Sequence, residues 1–376
     1  MLKLGIDRID SYIDLFKGKN VGLITNPTGV DSNLKLTSEI LKEKVNLVSL
    51  YAPEHGIRGD QEAGAHIESY FDQKLQLTVH SLYGKNKKPS SEILEGVDIL
   101  CYDMQDVGLR FYTYIYTMAY AMIAAKENNI KFVVFDRPNP LGRDVEGNLL
   151  DLNYRSFVGY YSIPQRYGLT VGELAMLFNE AFEINCDLVV IPMENYDPKA
   201  DYKTYNLPWL SPSPNLPTID SAFVYAATCY YEGTNVSEGR GTTRPFQLIG
   251  APFIDADDLC EKVRALNLDG IKVRPIHFTP SFSKHQGQTC HGIEIFLTDK
   301  TKFSPVRSGY QIFNIIRTYE GFEFLKPFKE GANPMINLLT GGEDVKNGTP
   351  LDEIFKQFEK DENTFRELKK RYHLYE

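Results

Sequence analysis

Residues 47–60 read LVSLYAPEHGIRGD, where an apolar run ending at Ala52 gives way to Pro53, Glu54, His55, Gly56 and Arg58. A carboxyl and an imidazole can pass a proton, and a guanidinium beside them can hold an anion. The glycines let backbone approach a ligand closely. A solvated glutamate and a helix-capping histidine are the ordinary reading of such a pair. Their position at the end of a strand-like run favours a functional one.

Two further stretches concentrate polar chemistry. YDMQDVGLRFYTYIY (102–116) carries Asp103, Gln105, Asp106, Arg110, Tyr112 and Tyr114. Charged groups directly after a buried strand must be paired or solvated, so an internal Asp–Arg bridge and a ligand contact both stand open. TNVSEGRGTTRPF (234–246) surrounds two glycines with Asn235, Ser237, Glu238, Arg240, Thr242, Thr243 and Arg244. Small hydroxyls with paired arginines suit an anion or a sugar, and a polar hairpin turn is the plain alternative. It is a poor phosphate loop, having neither GxxxxGK[ST] nor a complete GxGxxG.

Nucleophile and metal readings fare worse. SFSK (281–284) fits an SxxK serine-enzyme pattern, but neither SDN nor KTG occurs in the chain. Cys290 and His291 are neighbours on a strand-like run and point to opposite faces. HExxH is absent, and His66, His80, His277 and His285 lack ligand spacing, so no metal is expected.

The elements that must position these residues follow one grammar over the first 140 positions. VGLIT (21–25), NLVSLYA (46–52), VDILCYD (97–103) and KFVVFD (131–136) are apolar runs, each ending in a polar, turn-rich loop. Amphipathic stretches at 34–43 and 116–128 separate them. Continuous apolar strands alternating with helices predict an α/β fold with a parallel sheet covered on both faces. Ligands of such sheets sit at the carboxyl ends of the strands, which places Glu54, His55 and Arg58 on a cleft.

From about Asp151 the pattern changes. A helix is predicted over 169–182, opened by a Thr170–Glu173 capping box, with a strand at 186–193. A proline-rich stretch at 194–217 holds the only tryptophan. Helices at 256–266, 305–319 and after Leu351, with strands at 271–278 and 292–298, complete a second α/β domain. The expected division is 1–150 and 151–376.

Composition excludes several classes. Of 376 residues 42% are hydrophobic and 24% charged, so the chain folds. Its net charge of −9 repels phosphate backbones, and nucleic acid is not an expected partner. Five scattered cysteines without a CxxC pair argue against a disulfide framework or a zinc ribbon. No apolar run reaches the roughly 18 residues of a membrane span, and no membrane partner is expected. Met1 leads straight into Gly5-Ile6-Asp7 without an apolar leader. A cytoplasmic location is expected for the sequence as written, and a periplasmic or extracellular one if a leader has been removed.

In order, GLITNPTGV, YAPEHGIRGD, YDMQDVGLRFYTY, VVFDRPNPLG, SFVGYYSIPQRYGLTVGELA, LPWLSPSPNLPT, EGTNVSEGRGTTRPFQLIGAPF and FSKHQGQTCHG closely resemble the exo-β-N-acetylmuramidases, formerly a domain of unknown function. The likeness runs from about residue 3 to the final YHLYE. It implies a Rossmann-like N-terminal domain, a second α/β domain and a cleft between them. It also implies a cofactor-free glycosidase removing N-acetylmuramic acid from the non-reducing end of peptidoglycan fragments, with Glu54 catalytic. Glycoside hydrolysis usually needs a second carboxylate opposite the acid. Glu238 is the expected partner, with Asp103, Asp106 or the sugar's own acetamide as alternatives. His55, Arg58, Asp103, Gln105, Asp106, Arg110, Tyr112, Asn235, Arg240, Thr242 and Arg244 are expected to bind substrate, one of the four arginines taking the lactyl carboxylate. The rival reading is a non-catalytic sugar- or muropeptide-binding protein. A serine amidohydrolase using Ser281 and Lys284 is the third.

Overall fold

The computed structural model describes residues 1–53, 56–57, 69–82, 84 and 87–376. Seven strands form the main sheet: β1 (Asn20–Thr25), β2 (Asn46–Ala52), β3 (Tyr70–Asp72), β4 (Leu77–Ser81), β5 (Ile99–Asp103), β6 (Lys131–Phe135) and β7 (Leu188–Ile191). Their order is β3-β4-β2-β1-β5-β6-β7, parallel throughout except for the β3–β4 pair. The four apolar runs predicted as strands are β1, β2, β5 and β6. The chain builds outward from β1 to β2 on one side, then returns to lay β5 on the other. This reversal opens a crevice at the carboxyl ends of β1 and β5.

Successive residues along these strands serve opposite faces. Leu23, Cys101 and Val133 pack with Leu4, Ile6 and Ile40 on one face. Ile24, Tyr102 and Val134 pack on the other beneath the helices α2 (Tyr114–Glu127) and α3 (Val171–Glu180). Helix α1 (Thr37–Lys44) covers the first face beside β2. The Thr170 capping box forms as expected. Its hydroxyl accepts from the Glu173 amide at 3.2 Å, and the Glu173 carboxylate accepts from the Thr170 amide at 3.0 Å.

A smaller antiparallel sheet, ordered β8-β10-β9, comprises β8 (Leu248–Ala251), β9 (Ile271–Phe278) and β10 (Cys290–Leu297). Around it lie α4 (Ile219–Thr228), α5 (Ala256–Ala265), α6 (Pro305–Ile316), α7 (Met335–Thr340), α8 (Asp344–Asn347) and α9 (Leu351–Lys369). One continuous apolar core runs from beneath α2 and α3 through α4 and α6 to α9.

Two features differ from the sequence reading. The β3–β4 hairpin was not anticipated, its three-residue β3 being too short to show a period. Strand β7, expected in the second domain, pairs with β6 from Phe132↔Leu188 to Phe135↔Ile191. The first sheet therefore reaches past the boundary expected at 150. Its anchor is chemical as well as apolar. Tyr375 donates to Asp136 Oδ2 at the end of β6 at 2.6 Å and accepts from the Met193 amide just past β7 at 2.8 Å.

Candidate active site

The loops at the crevice are held by close backbone approach. A Cβ on Gly29, after β1, would lie 2.7 Å from the Asp103 carbonyl. Gly108, after β5, has φ +82° and packs against Asn139, leaving no room for a side chain. Beside β1, the loop after β2 begins at buried Pro53, whose carbonyl accepts from the Gly56 amide at 3.1 Å. Glu54, His55 and Arg58 lie outside the described residues.

Two aspartates close β5 and meet different fates. Asp103 is fully buried and takes both arms of Arg137, with Nη2–Oδ2 at 2.9 Å, as well as the Thr37 hydroxyl. Burial raises its pKa and the Arg137 charge opposes the rise. Its lone pairs are committed to structure. The bridge anticipated in this loop thus forms with Arg137 rather than Arg110. Asp106 accepts from the Tyr167 hydroxyl and, at 2.7 Å, from the Gly108 amide, both on Oδ2. Its Oδ1 is buried with no hydrogen-bond partner among the described residues. Burial pushes this carboxyl up to about 6, against the Tyr167 hydroxyl and the Gly108 and Val107 amides.

Gln105 donates to the Asp106 and Pro138 carbonyls at 2.8 Å each, shaping the same loop. Arg110 does not reach a ligand. It is fully buried and donates to the carbonyls of Asn148 at 2.6 Å, Ile163 at 3.0 Å and Thr340 at 2.9 Å. A guanidinium so placed is a cross-brace, which corrects its expected role as a substrate contact.

From Tyr112 an aromatic wall leads to the second half. Tyr112 meets Tyr225 at 6.4 Å, Tyr225 meets Phe246 at 4.5 Å, and Arg240 lies over the Phe246 ring at 5.1 Å. Beyond this wall Glu238 is 2% exposed. Its carboxylate pairs with Arg240 Nε at 3.2 Å and Lys284 Nζ at 2.7 Å. Lys284 spends its other donors on the Tyr231 and Val236 carbonyls at 2.5 and 2.9 Å. A carboxylate buried between two cations makes a poor nucleophile, and this pairing argues against the direct role expected for Glu238. It equally removes Lys284 as a base for Ser281, since all three ammonium protons are taken.

The remaining candidates of this loop are engaged locally. Arg240 also pairs with Glu232 at 2.6 Å; burial works against its charge, but the two carboxylates outweigh that and raise its pKa. Asn235 closes on Gly321 and Glu323 backbone at 2.7 and 3.0 Å, and Thr242 on the Gly239 carbonyl at 2.6 Å. These contacts build the turn and leave both side chains half-buried. Arg244 pairs with Glu294 at 2.7 Å but keeps 42% of its side chain exposed.

A family model described as exo-beta-N-acetylmuramidase NamZ, N-terminal, matches residues 21–220, and its C-terminal counterpart matches 223–375. The chain belongs to this family. It is 49% identical over 383 aligned positions to the peptidoglycan beta-N-acetylmuramidase NamZ of Bacillus subtilis, covering all of this chain and 91% of that one. Among solved structures it is similar to two DUF1343 family proteins of Bacteroides fragilis. The first superposes with a TM-score of 0.90 at 36% identity, the second with 0.78 at 32%; each match covers 100% of this chain and 99% of the other. The NamZ division at 220–223 falls at the start of α4, so β7 and the Tyr167 segment belong with the NamZ N-terminal part.

Sequence reasoning missed three partners of the candidate residues. Arg137 stands in VVFDRPNPLG and Tyr167 in SFVGYYSIPQRYGLTVGELA, stretches that carried the resemblance without suggesting a partner for either aspartate. Lys284 was visible only as part of a false SxxK.

Proposed function

We propose that the protein is an exo-acting glycosidase that hydrolyses terminal non-reducing N-acetylmuramic acid from peptidoglycan fragments, in cell-wall turnover. The observation that carries this reading is the family match along both halves, at 49% identity to the B. subtilis enzyme. Glu54 acts as the general acid, giving its proton to the glycosidic oxygen as the C–O bond breaks. The 2-acetamido oxygen then attacks the anomeric carbon, and Asp106 takes the place of Glu238 as the second carboxylate. Its Oδ1 accepts the acetamide N–H while Tyr167 and Gly108 hold Oδ2 still. Water, deprotonated by Glu54, opens the cyclic intermediate and restores both groups.

The strand order supports this pairing, since β2 and β5 flank β1 at about 10 Å across two strand spacings. That span accommodates two carboxyls on either side of one sugar ring. Arg110 and Arg240 are taken up by buried partners, so the lactyl carboxylate falls to Arg244, which keeps 42% of its side chain exposed, or to Arg58. The test is release of free N-acetylmuramic acid from a chromogenic muramide. Saturable binding without release would leave a sugar-binding protein instead.

A further inference from the structure

A cavity of about 410 Å³ opens between the segment 143–146, Arg166, the segment 301–304 leading into α6, and the carboxyl end of α9. It shares no lining residue with the loops after β1, β2 and β5, and it joins both halves of the chain. Seven of its lining side chains are Lys or Arg and two are acidic, so its polar wall is dominated by donors.

Most of these cations are already matched. Arg166 pairs with Asp144 at 3.0 Å, Arg143 with Glu173 at 3.2 Å, and Arg307 and Arg366 with Glu362 at 2.6 and 3.1 Å. Lys369 is different. It is 4% exposed and donates only to the Arg143 and Gly168 carbonyls, at 2.6 and 2.8 Å. No carboxylate pairs with it among the described residues, and one of its three protons is left over. Around it, Arg143 Nε and Nη1, Arg166 Nε and His373 Nε2 are buried without hydrogen-bond partners among the described residues. A buried nitrogen left unmatched destabilises the fold, and a ligand that matched it would recover that loss. Arg166 is itself 5% exposed, so its orphaned nitrogen is a built feature and no frayed surface group.

We propose that this cavity binds a small molecule bearing a phosphoryl group. Unmatched donors on Arg143, Arg166 and Lys369, with the unpartnered His373 Nε2 beside them, come from different elements. A tetrahedral phosphoryl group presents three oxygens in different directions, whereas a planar carboxylate presents two. The volume exceeds what inorganic phosphate fills and accepts a sugar attached to it. The site also explains two unusual groups. Burial and the Arg143 charge press the Lys369 ammonium down to about 7, and burial with the Arg143 charge holds the His373 imidazole down to about 4. An anion between them restores both protons, so binding takes up protons from solution near neutrality.

The experiment is calorimetry and thermal unfolding of the full chain with inorganic phosphate, a hexose 6-phosphate, succinate and chloride at matched ionic strength and pH 7. The expected result is saturable binding of a phosphoryl compound with proton uptake and a raised Tm. Lys369→Met and His373→Gln should each weaken that binding about ten- to hundredfold. These two variants remove no ion pair of the wall, so a folded protein is retained for comparison. A stronger shift with the hexose phosphate identifies a sugar phosphate, and a stronger shift with inorganic phosphate identifies the free ion. Equal responses to succinate or chloride, or undiminished binding in both variants, would overturn the proposal.

Discussion

The Tyr167 hydroxyl donates to Asp106 Oδ2 across 61 residues of sequence, leaving Oδ1 as the unfilled side of that carboxylate. This contact holds Oδ2 in place and works against burial, the balance leaving the carboxyl raised to about 6. If ionised Asp106 orients the acetamide, kcat/KM falls as pH drops below about 6. Removing the hydrogen bond with Tyr167→Phe should move that limb to higher pH while leaving the alkaline side in place. A limb that stays fixed would detach Asp106 from the chemistry.

Stability should move the opposite way at the same residue. Unfolded, Asp106 loses its proton near the ordinary 3.8; folded, it holds the proton up to about 6. The unfolded state therefore binds fewer protons in this window, and its share of stability is lost as pH rises through it. Asp106→Asn should be more stable than the parent at pH 8 and no more stable at pH 4, by urea denaturation, while activity falls at both.

For Glu54→Gln the expected loss is about 10²–10⁴-fold in kcat on a substrate with a poor leaving group. An activated aryl muramide, needing less proton assistance, should lose much less. Retention of more than a tenth of the activity on the poor leaving group would remove Glu54 from the acid role.

The Glu238–Lys284 pair separates structure from catalysis. Breaking a buried pair costs about 3–5 kcal/mol, so Lys284→Met should lower Tm sharply. Glu238→Gln with Lys284→Met should recover part of that loss, a coupling that a double-mutant cycle measures. Glu238→Gln alone should keep kcat within about tenfold, since a lost nucleophile would cost far more.

Recognition of the lactyl group should split the four arginines. Arg244→Ala or Arg58→Ala should weaken muramic substrates by about 1.5–3 kcal/mol and barely touch N-acetylglucosamine analogues. Arg110→Ala should instead unfold the protein, visible as lost circular dichroism. Equal effects on both sugars for Arg58 and Arg244 would exclude them as readers of the carboxylate.

The sequence made the sheet legible because β1, β2, β5 and β6 are buried on both faces and so are mostly apolar along their length. The capping box at Thr170 was equally plain, being a local pattern. What stayed hidden depends on distance along the chain. Asp103 meets Arg137 34 positions away, and Glu238 meets Lys284 46 positions away. A string of residue types shows that a buried charge needs a partner, never which one it takes. For that reason Arg110 read as a ligand clamp and Glu238 as a free carboxylate.

Arg110 has a further consequence. Proteins built from two α/β lobes commonly work as clamshells, bending at a hinge to swallow a ligand. Here one guanidinium is laced to Asn148 and Ile163 on one side and Thr340 on the other. Rotating the lobes apart would strand its charge in an apolar interior. Among the described residues, then, binding the glycan chain-end and releasing the spent sugar do not call for one half to swing against the other. The radius of gyration in solution should stay the same from empty to saturated protein.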